Sequence, residues 1–197
     1  QTYHRTGLYQ VPWPSGLGVE GAGEVEAVGT GVDLPVGARV ALTLALGAYA
    51  EAIVIPATSL IHLPDSIGFE QAAAILLKGM TVDYLFNDTF PLKGGETVLF
   101  HAAAGGVGLI ACQWAHHISI DLIGTASTDE KCALAESHGA KKCVLSGAEN
   151  LAETLKALAP EGGFPVVYDS VGKATYHLGL EVLAPLGTFA SFGNASG

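Results

Sequence analysis

One stretch constrains this chain more than any other: residues 96–117, read Glu-Thr-Val-Leu-Phe-His-Ala-Ala-Ala-Gly-Gly-Val-Gly-Leu-Ile-Ala-Cys-Gln-Trp-Ala-His-His. An apolar, β-branched segment, Thr97 to Phe100, predicts a strand. A small-residue turn follows from Ala102 to Gly108, and Val107, Ile110, Ala111, Trp114 and Ile118 then recur at helical spacing. Strand, glycine-rich turn and helix together present backbone N–H groups and a helix N-terminus to a pyrophosphate. Ala103, Gly105 and Gly108 hold the three fingerprint places, with alanine in the first. The first must be small for the tight turn, the second lets phosphate approach the backbone, and the third lets helix pack on strand. The turn therefore points to a dinucleotide and to redox chemistry. The same spacing also occurs in glycine-rich turns of other α/β proteins, so alone it leaves both readings open.

The residues that follow extend the pattern. Strand-like runs at Leu122–Ala126, Cys143–Leu145, Pro165–Asp169 and Gly187–Phe192 alternate with helices expected over 128–138, 149–158 and 174–183. That order predicts a parallel, doubly wound Rossmann sheet. The second strand carries the choice of cofactor. In NAD-binding domains an acidic residue at its tip holds the ribose hydroxyls. Here it ends Thr125-Ala126-Ser127-Thr128, with no carboxylate at the tip and Lys131 a helical turn further on. Hydroxyls and a lysine suit a 2′-phosphate, which favours NADP(H). Asp129 and Glu130 would oppose a phosphate if turned inward; at a helix start they also complement the dipole.

Before Glu96 the chain changes character. Residues 18–61 hold short alternating runs between glycines: Gly-Glu-Val-Glu-Ala-Val-Gly, Gly-Ala-Arg-Val-Ala-Leu-Thr-Leu and Gly-Ala-Tyr-Ala-Glu-Ala-Ile-Val-Ile. They predict short antiparallel strands of a barrel-like module. A helix is expected from Ser66 or Gly68 through Phe86, with the domain boundary near Lys78 to Met80. This divides the chain into a β-rich domain, 1–78, and a Rossmann domain, 79–197.

Composition narrows the partners. A net charge of −10 argues against general nucleic-acid or anionic-membrane binding. No apolar run reaches the roughly 18 residues of a membrane span. Cys112, Cys132 and Cys143 are scattered and odd in number. They read as reduced, buried thiols of a cytoplasmic protein.

The order β-rich module, helix, Leu77-Lys-Gly-Met-Thr-Val-Asp-Tyr84 and His101-Ala-Ala-Ala-Gly-Gly-Val-Gly-Leu-Ile-Ala-Cys-Gln-Trp114 resembles the medium-chain dehydrogenase/reductase superfamily. Within it the chain resembles the zinc-free NADPH:quinone oxidoreductases, the group that includes ζ-crystallin. Arg5-Thr-Gly-Leu-Tyr9, Pro14-Ser-Gly-Leu-Gly18, Tyr168-Asp-Ser-Val-Gly172 and Ser191-Phe-Gly-Asn-Ala-Ser-Gly197 carry the resemblance along the whole chain. It implies a partial GroES-like catalytic domain ahead of a Rossmann domain, and a homodimeric parent protein.

By position, Gly106 and Val107 would meet the pyrophosphate of NADPH, and Ser127, Thr128 and Lys131 the 2′-phosphate. Tyr84, Val171, Gly193 and Asn194 would lie along the cofactor towards the nicotinamide, and Tyr3 would reach a quinone or other conjugated carbonyl. The residues alone equally allow Tyr84 as a packing aromatic, Val171 as an ordinary loop residue and Lys131 as a surface lysine.

Zinc-dependent relatives carry Gly-His-Glu where this chain has Gly18-Val19-Glu20. Glu20 then reads as a structural or cleft carboxylate, and no metal is expected. His101, just before the turn, could approach the cofactor or be packed and hydrogen-bonded. The resemblance implies hydride transfer from NADPH to a quinone. Reduction of an enone or alkenal, and a non-catalytic nucleotide- or RNA-binding crystallin-like protein, are the alternatives.

Two departures from the family pattern stand out. Ser146 occupies the place of a tyrosine that helps grip the 2′-phosphate. The chain also looks truncated at both ends, lacking the opening strands of the first domain and the last Rossmann strand.

Overall fold

The computed structural model describes residues 2–197. They fall into two compact units that part between Lys78 and Gly79.

In the first unit a short helix, α1 (Thr2–Arg5), precedes three strands, β1 (Glu20–Glu24), β2 (Arg39–Thr43) and β3 (Leu60–His62). They form an antiparallel sheet in that order. Val40, Ala41 and Leu42 of β2 are buried, as expected for a central strand. Ala41, Leu63 and Ala72 make a small core, with the start of helix α2 (Phe69–Tyr84) against it. Arg39 ties the strand to the chain entering α2. Its guanidinium donates to the carbonyls of Pro64 and Ile67, each at 2.7 Å, and lies 4.6 Å from the Phe69 ring centre. Gly18 is glycine of necessity: its φ is +87°, and a Cβ would stand 2.6 Å from the Tyr49 nitrogen.

The strand expected over 47–55 is absent; this segment is irregular. Its alternation is real, since Val54 is fully exposed while Ile53 and Ile55 are half-buried. Among the described residues, however, no strand lies alongside to take its backbone hydrogen bonds, and alternation without a partner makes no strand.

The second unit contains a five-stranded parallel sheet. Its strands are β4 (Thr97–Phe100), β5 (Asp121–Ala126), β6 (Lys142–Leu145), β7 (Phe164–Asp169) and β8 (Leu183–Ser191). Their order is β6-β5-β4-β7-β8. The chain starts in the middle, builds outwards one way and then the other, so the strand order reverses beside β4.

Four helices connect the strands: α3 (Gly106–His117), α4 (Asp129–Ser137), α5 (Leu151–Leu158) and α6 (Tyr176–Val182). Alternate strand residues feed two cores. Val98, Phe100, Leu122 and Tyr168 pack with Ala111, Cys112 and Cys132 of α3 and α4. Leu99, Ile123 and Val167 pack with Leu151, Leu155 and Val182 of α5 and α6. Both faces are covered, as a parallel sheet requires. The end of α2 continues through a π-helical turn, Leu85–Thr89, whose Leu85 and Phe86 join the first core.

Candidate functional site

At the end of β4 the backbone turns sharply. Ala102 takes φ 57°, Ala103 is fully buried and its N–H reaches the Thr125 carbonyl at 3.0 Å. Gly105 caps α3, and no side chain bonds to the helix start. The first amides of a helix have no intrahelical acceptor, and here Gly105 and Gly106 are exposed. Open N–H groups and bare backbone thus stand together at the positive end of a 12-residue helix.

Gly108 is buried, and a Cβ there would lie 2.4 Å from the Ala103 carbonyl and 2.6 Å from that of Ala102. Only glycine lets the first turn of α3 press against the strand end. Gly124 on β5 clears space in the same way, since its Cβ would meet that of Ala103 at 2.6 Å.

The tip of β5 gathers Ser127, Thr128 and Lys131. Thr128 is the N-cap of α4, its hydroxyl accepting from the Lys131 amide at 3.3 Å. The Lys131 ammonium bends back to donate to Ser127 Oγ at 3.1 Å. All three are exposed, so the cation and two hydroxyls form one open cluster. Asp129 and Glu130 sit in the first turn of α4, where the helix dipole favours them. The Thr128 hydroxyl holds the Glu130 carboxyl below its usual range. Ser146 follows β6, and its amide donates to the Ala126 carbonyl at 2.8 Å.

The ends of β7 and β8 form a second pair of loops, laced together. Ala195 and Ser196 donate from their amides to the carbonyls of Ser170 and Val171 at 3.1 and 2.8 Å. Gly193 lets them close, since its Cβ would stand 2.8 Å from the Ser170 carbonyl. Beneath them Asp169 is fully buried. Its Oδ1 accepts from the amides of Val171 (2.6 Å) and Gly172 (3.2 Å) and from Thr175 Oγ1.

Val171, Gly193 and Asn194 therefore adjoin one another, at the same carboxyl end of the sheet as the β4 turn and the β5 cluster. Ligands of open α/β sheets bind in that crevice. Tyr84, in the last turn of α2, is 42% exposed. Tyr3 belongs to the first unit, where its ring stands 5.2 Å from that of Tyr9.

The sequence left His101 open between approaching the cofactor and being packed and hydrogen-bonded, and it left the partners of His101 and the role of Thr175 unread. His101 is wholly buried, with Nδ1 2.9 Å from Thr125 Oγ1. Burial holds its pKa below the ordinary value of 6.5, against the pull of the nearby Asp169 carboxylate. Thr175 completes the Asp169 network. Neither could be found from spacing, because the partners come from different strands and loops.

The fold and the open turn at the strand reversal have the arrangement of dinucleotide-binding α/β sheets. Comparison with known proteins agrees. The alcohol dehydrogenase GroES-like domain matches residues 1–65, and the zinc-binding dehydrogenase family matches residues 106–197. A quinone oxidoreductase of Pseudomonas aeruginosa is 56% identical over 100% of this chain and 61% of its own length. The crystal structure of the Escherichia coli quinone oxidoreductase complexed with NADPH is 49% identical with a TM-score of 0.96, over 100% of this chain and 61% of that one. A Pseudomonas syringae quinone oxidoreductase structure is 51% identical with a TM-score of 0.95, at the same coverage. The two family models together take in residues 1–65 and 106–197, and along its whole length the chain is similar to quinone oxidoreductases. It spans 61% of the length of these relatives.

The zinc in the family description does not fit the donor set here. Val19 stands where zinc-dependent relatives have histidine. Glu20 is committed elsewhere: Oε1 accepts from Lys78 Nζ at 2.6 Å and Oε2 from the Leu77 amide at 3.3 Å. Burial pushes the Cys112 thiol up to about 12 and raises that of Cys143, whereas zinc takes thiolates. Among the described residues no three His, Cys, Asp or Glu side chains come together to hold a metal.

Proposed function

We propose that this chain is part of an NADPH-dependent quinone oxidoreductase, with residues 79–197 holding the dinucleotide and 1–78 belonging to the catalytic domain. The observation that carries this is the open start of α3 at the point where the strand order reverses, uncapped and faced with glycine backbone. Amides of Gly106, Val107 and Gly108 are free to hold a pyrophosphate, with Ala103 and Gly105 shaping the turn that aims them.

Ser127 and Thr128 offer hydroxyls, and Lys131 a cation, to a 2′-phosphate at the tip of β5. The ammonium leaves Ser127 for the phosphate without moving the helix. Val171, Gly193 and Asn194 then border the stretch leading to the nicotinamide, and Tyr84 lines it from α2. NADPH, when bound, supplies a hydride at its nicotinamide. Quinones accept hydride readily, so the protein's task is to align donor and acceptor and to exclude water. Tyr3 holds the acceptor carbonyl by a hydrogen bond from its phenol and can release a proton to the reduced oxygen.

The parent is read as a cytoplasmic homodimer that binds neither nucleic acid nor membrane. Buried thiols fit the cytoplasm, the net charge of −10 argues against nucleic-acid and anionic-membrane binding, and the homodimer rests on the family resemblance.

The test follows reduced-nicotinamide absorbance in the parent enzyme with benzoquinone as acceptor. Oxidation of NADPH in step with hydroquinone formed is the expected result. Oxidation of a primary alcohol with a zinc requirement, and none with quinone, would contradict it.

A further inference from the structure

The register of the sheet sets three polar residues in one row. Phe100 pairs with Gly124 on β5 and with Tyr168 on β7. One residue further on, His101, Thr125 and Asp169 stand side by side on the same face. They are 0%, 1% and 0% exposed, and with Thr175 they are the buried polar residues among those described. A sheet otherwise packed with apolar side chains thus gathers these buried polar groups in one network, directly beneath the crevice.

One member of that network is incomplete. His101 Nδ1 meets Thr125 Oγ1, but buried Nε2 has no protein partner. Leaving a buried nitrogen unpaired is costly, so its place needs an explanation. Thr125 lies on the β5 side of β4 and Asp169 on the β7 side. A neutral imidazole carries a single N–H. The Thr125 hydroxyl is buried and, among the described residues, its proton has no acceptor other than Nδ1, so it donates there. The proton therefore belongs on Nε2, with Nδ1 accepting from Thr125. Asp169 Oδ2, which takes only the Thr175 hydroxyl at 2.8 Å, has a lone pair to spare.

We propose that His101 is a positioning residue, held as the Nε2–H tautomer and joined through one buried water to the Asp169 carboxylate. This polar tie crosses β5, β4 and β7. It fixes the start of the phosphate-binding turn, where His101 N–H also meets the Tyr168 carbonyl at 2.9 Å, relative to the loop after Asp169. Its effect on cofactor binding rests on the dinucleotide reading above; the tie itself does not.

Nitrogen-15 NMR of the imidazole at neutral pH tests the tie without any cofactor. An Nε2–H tautomer is expected; an Nδ1–H tautomer or an imidazolium overturns it. Two variants then test the role. Glutamine at this position reaches roughly where Nε2 lies, and asparagine only where Nδ1 lies. H101Q should keep NADPH affinity within about threefold and H101N lose about tenfold, the scale of one hydrogen bond to a charged group. Circular dichroism should show both folded. Equal losses, or the reverse ranking, overturn the positioning role. If the native chain shows the Nε2–H tautomer but binds no NADPH, the dinucleotide reading and the positioning role both fail, and the tie stands.

Discussion

On the proposed reading the Lys131 ammonium, hydrogen-bonded to Ser127 and otherwise open to solvent, tells NADPH from NADH. Lys131→Ala should weaken NADPH binding about tenfold and leave NADH binding unchanged, the scale of one charge-assisted bond at a solvated site. Paired titrations with the two cofactors measure the ratio.

The thiols behave oppositely, as groups kept out of chemistry. All three are buried, and the Cys112 thiol is pushed up to about 12. A thiol-reactive disulfide dye at about pH 8 should titrate none in the native chain and all three after denaturation, since the thiolate is the reactive form. His101 gives a pH dependence with a definite sign. Its folded pKa lies below 6.5, so the unfolded chain takes the proton first. Stability is full above 6.5 and falls as pH drops through 6.5 towards the folded value. Melting temperatures from about pH 8 to about pH 5 should fall less in H101Q than in the native chain.

At the scale of elements, the parallel-sheet strands were legible because each is a short apolar run between turn residues. Position alone decides what Gly108 does. Gly108→Ala forces a methyl against two carbonyls and should cost about 1–3 kcal/mol in denaturant unfolding, with loss of cofactor binding.

Boundaries were less legible where tertiary pairing overrode local signals. The last strand was expected from Gly187, but it begins at Leu183, straight from α6, because Leu183 pairs with Phe164 across an irregular register. Pro185 and Gly187 mark a turn in the sequence yet lie within that strand. The segment 47–55 failed the other way, with the pattern of a strand and no partner. The glycine turn and the Ser127, Thr128 and Lys131 cluster were readable because both are local. The His101, Thr125, Asp169 and Thr175 network was not, since only the sheet register brings it together.

At the scale of the molecule, the charge of −10 argues against nucleic-acid partners. Neutralising nucleic-acid phosphates takes clustered cations, and the chain has 9 Lys and Arg against 19 Asp and Glu. Filter binding with single-stranded RNA at low salt should retain nothing. On the proposed reading a nucleotide cofactor is instead admitted at one point, through the amides at the start of α3 and Lys131.

A calorimetric titration of this chain with NADPH and NADH in parallel tests that claim most directly. One site per chain, tighter for NADPH than for NADH, is the predicted result. Equal binding of the two, or a preference for NADH, would contradict the role given to Lys131 and Ser127. Binding of neither would contradict the site at the start of α3.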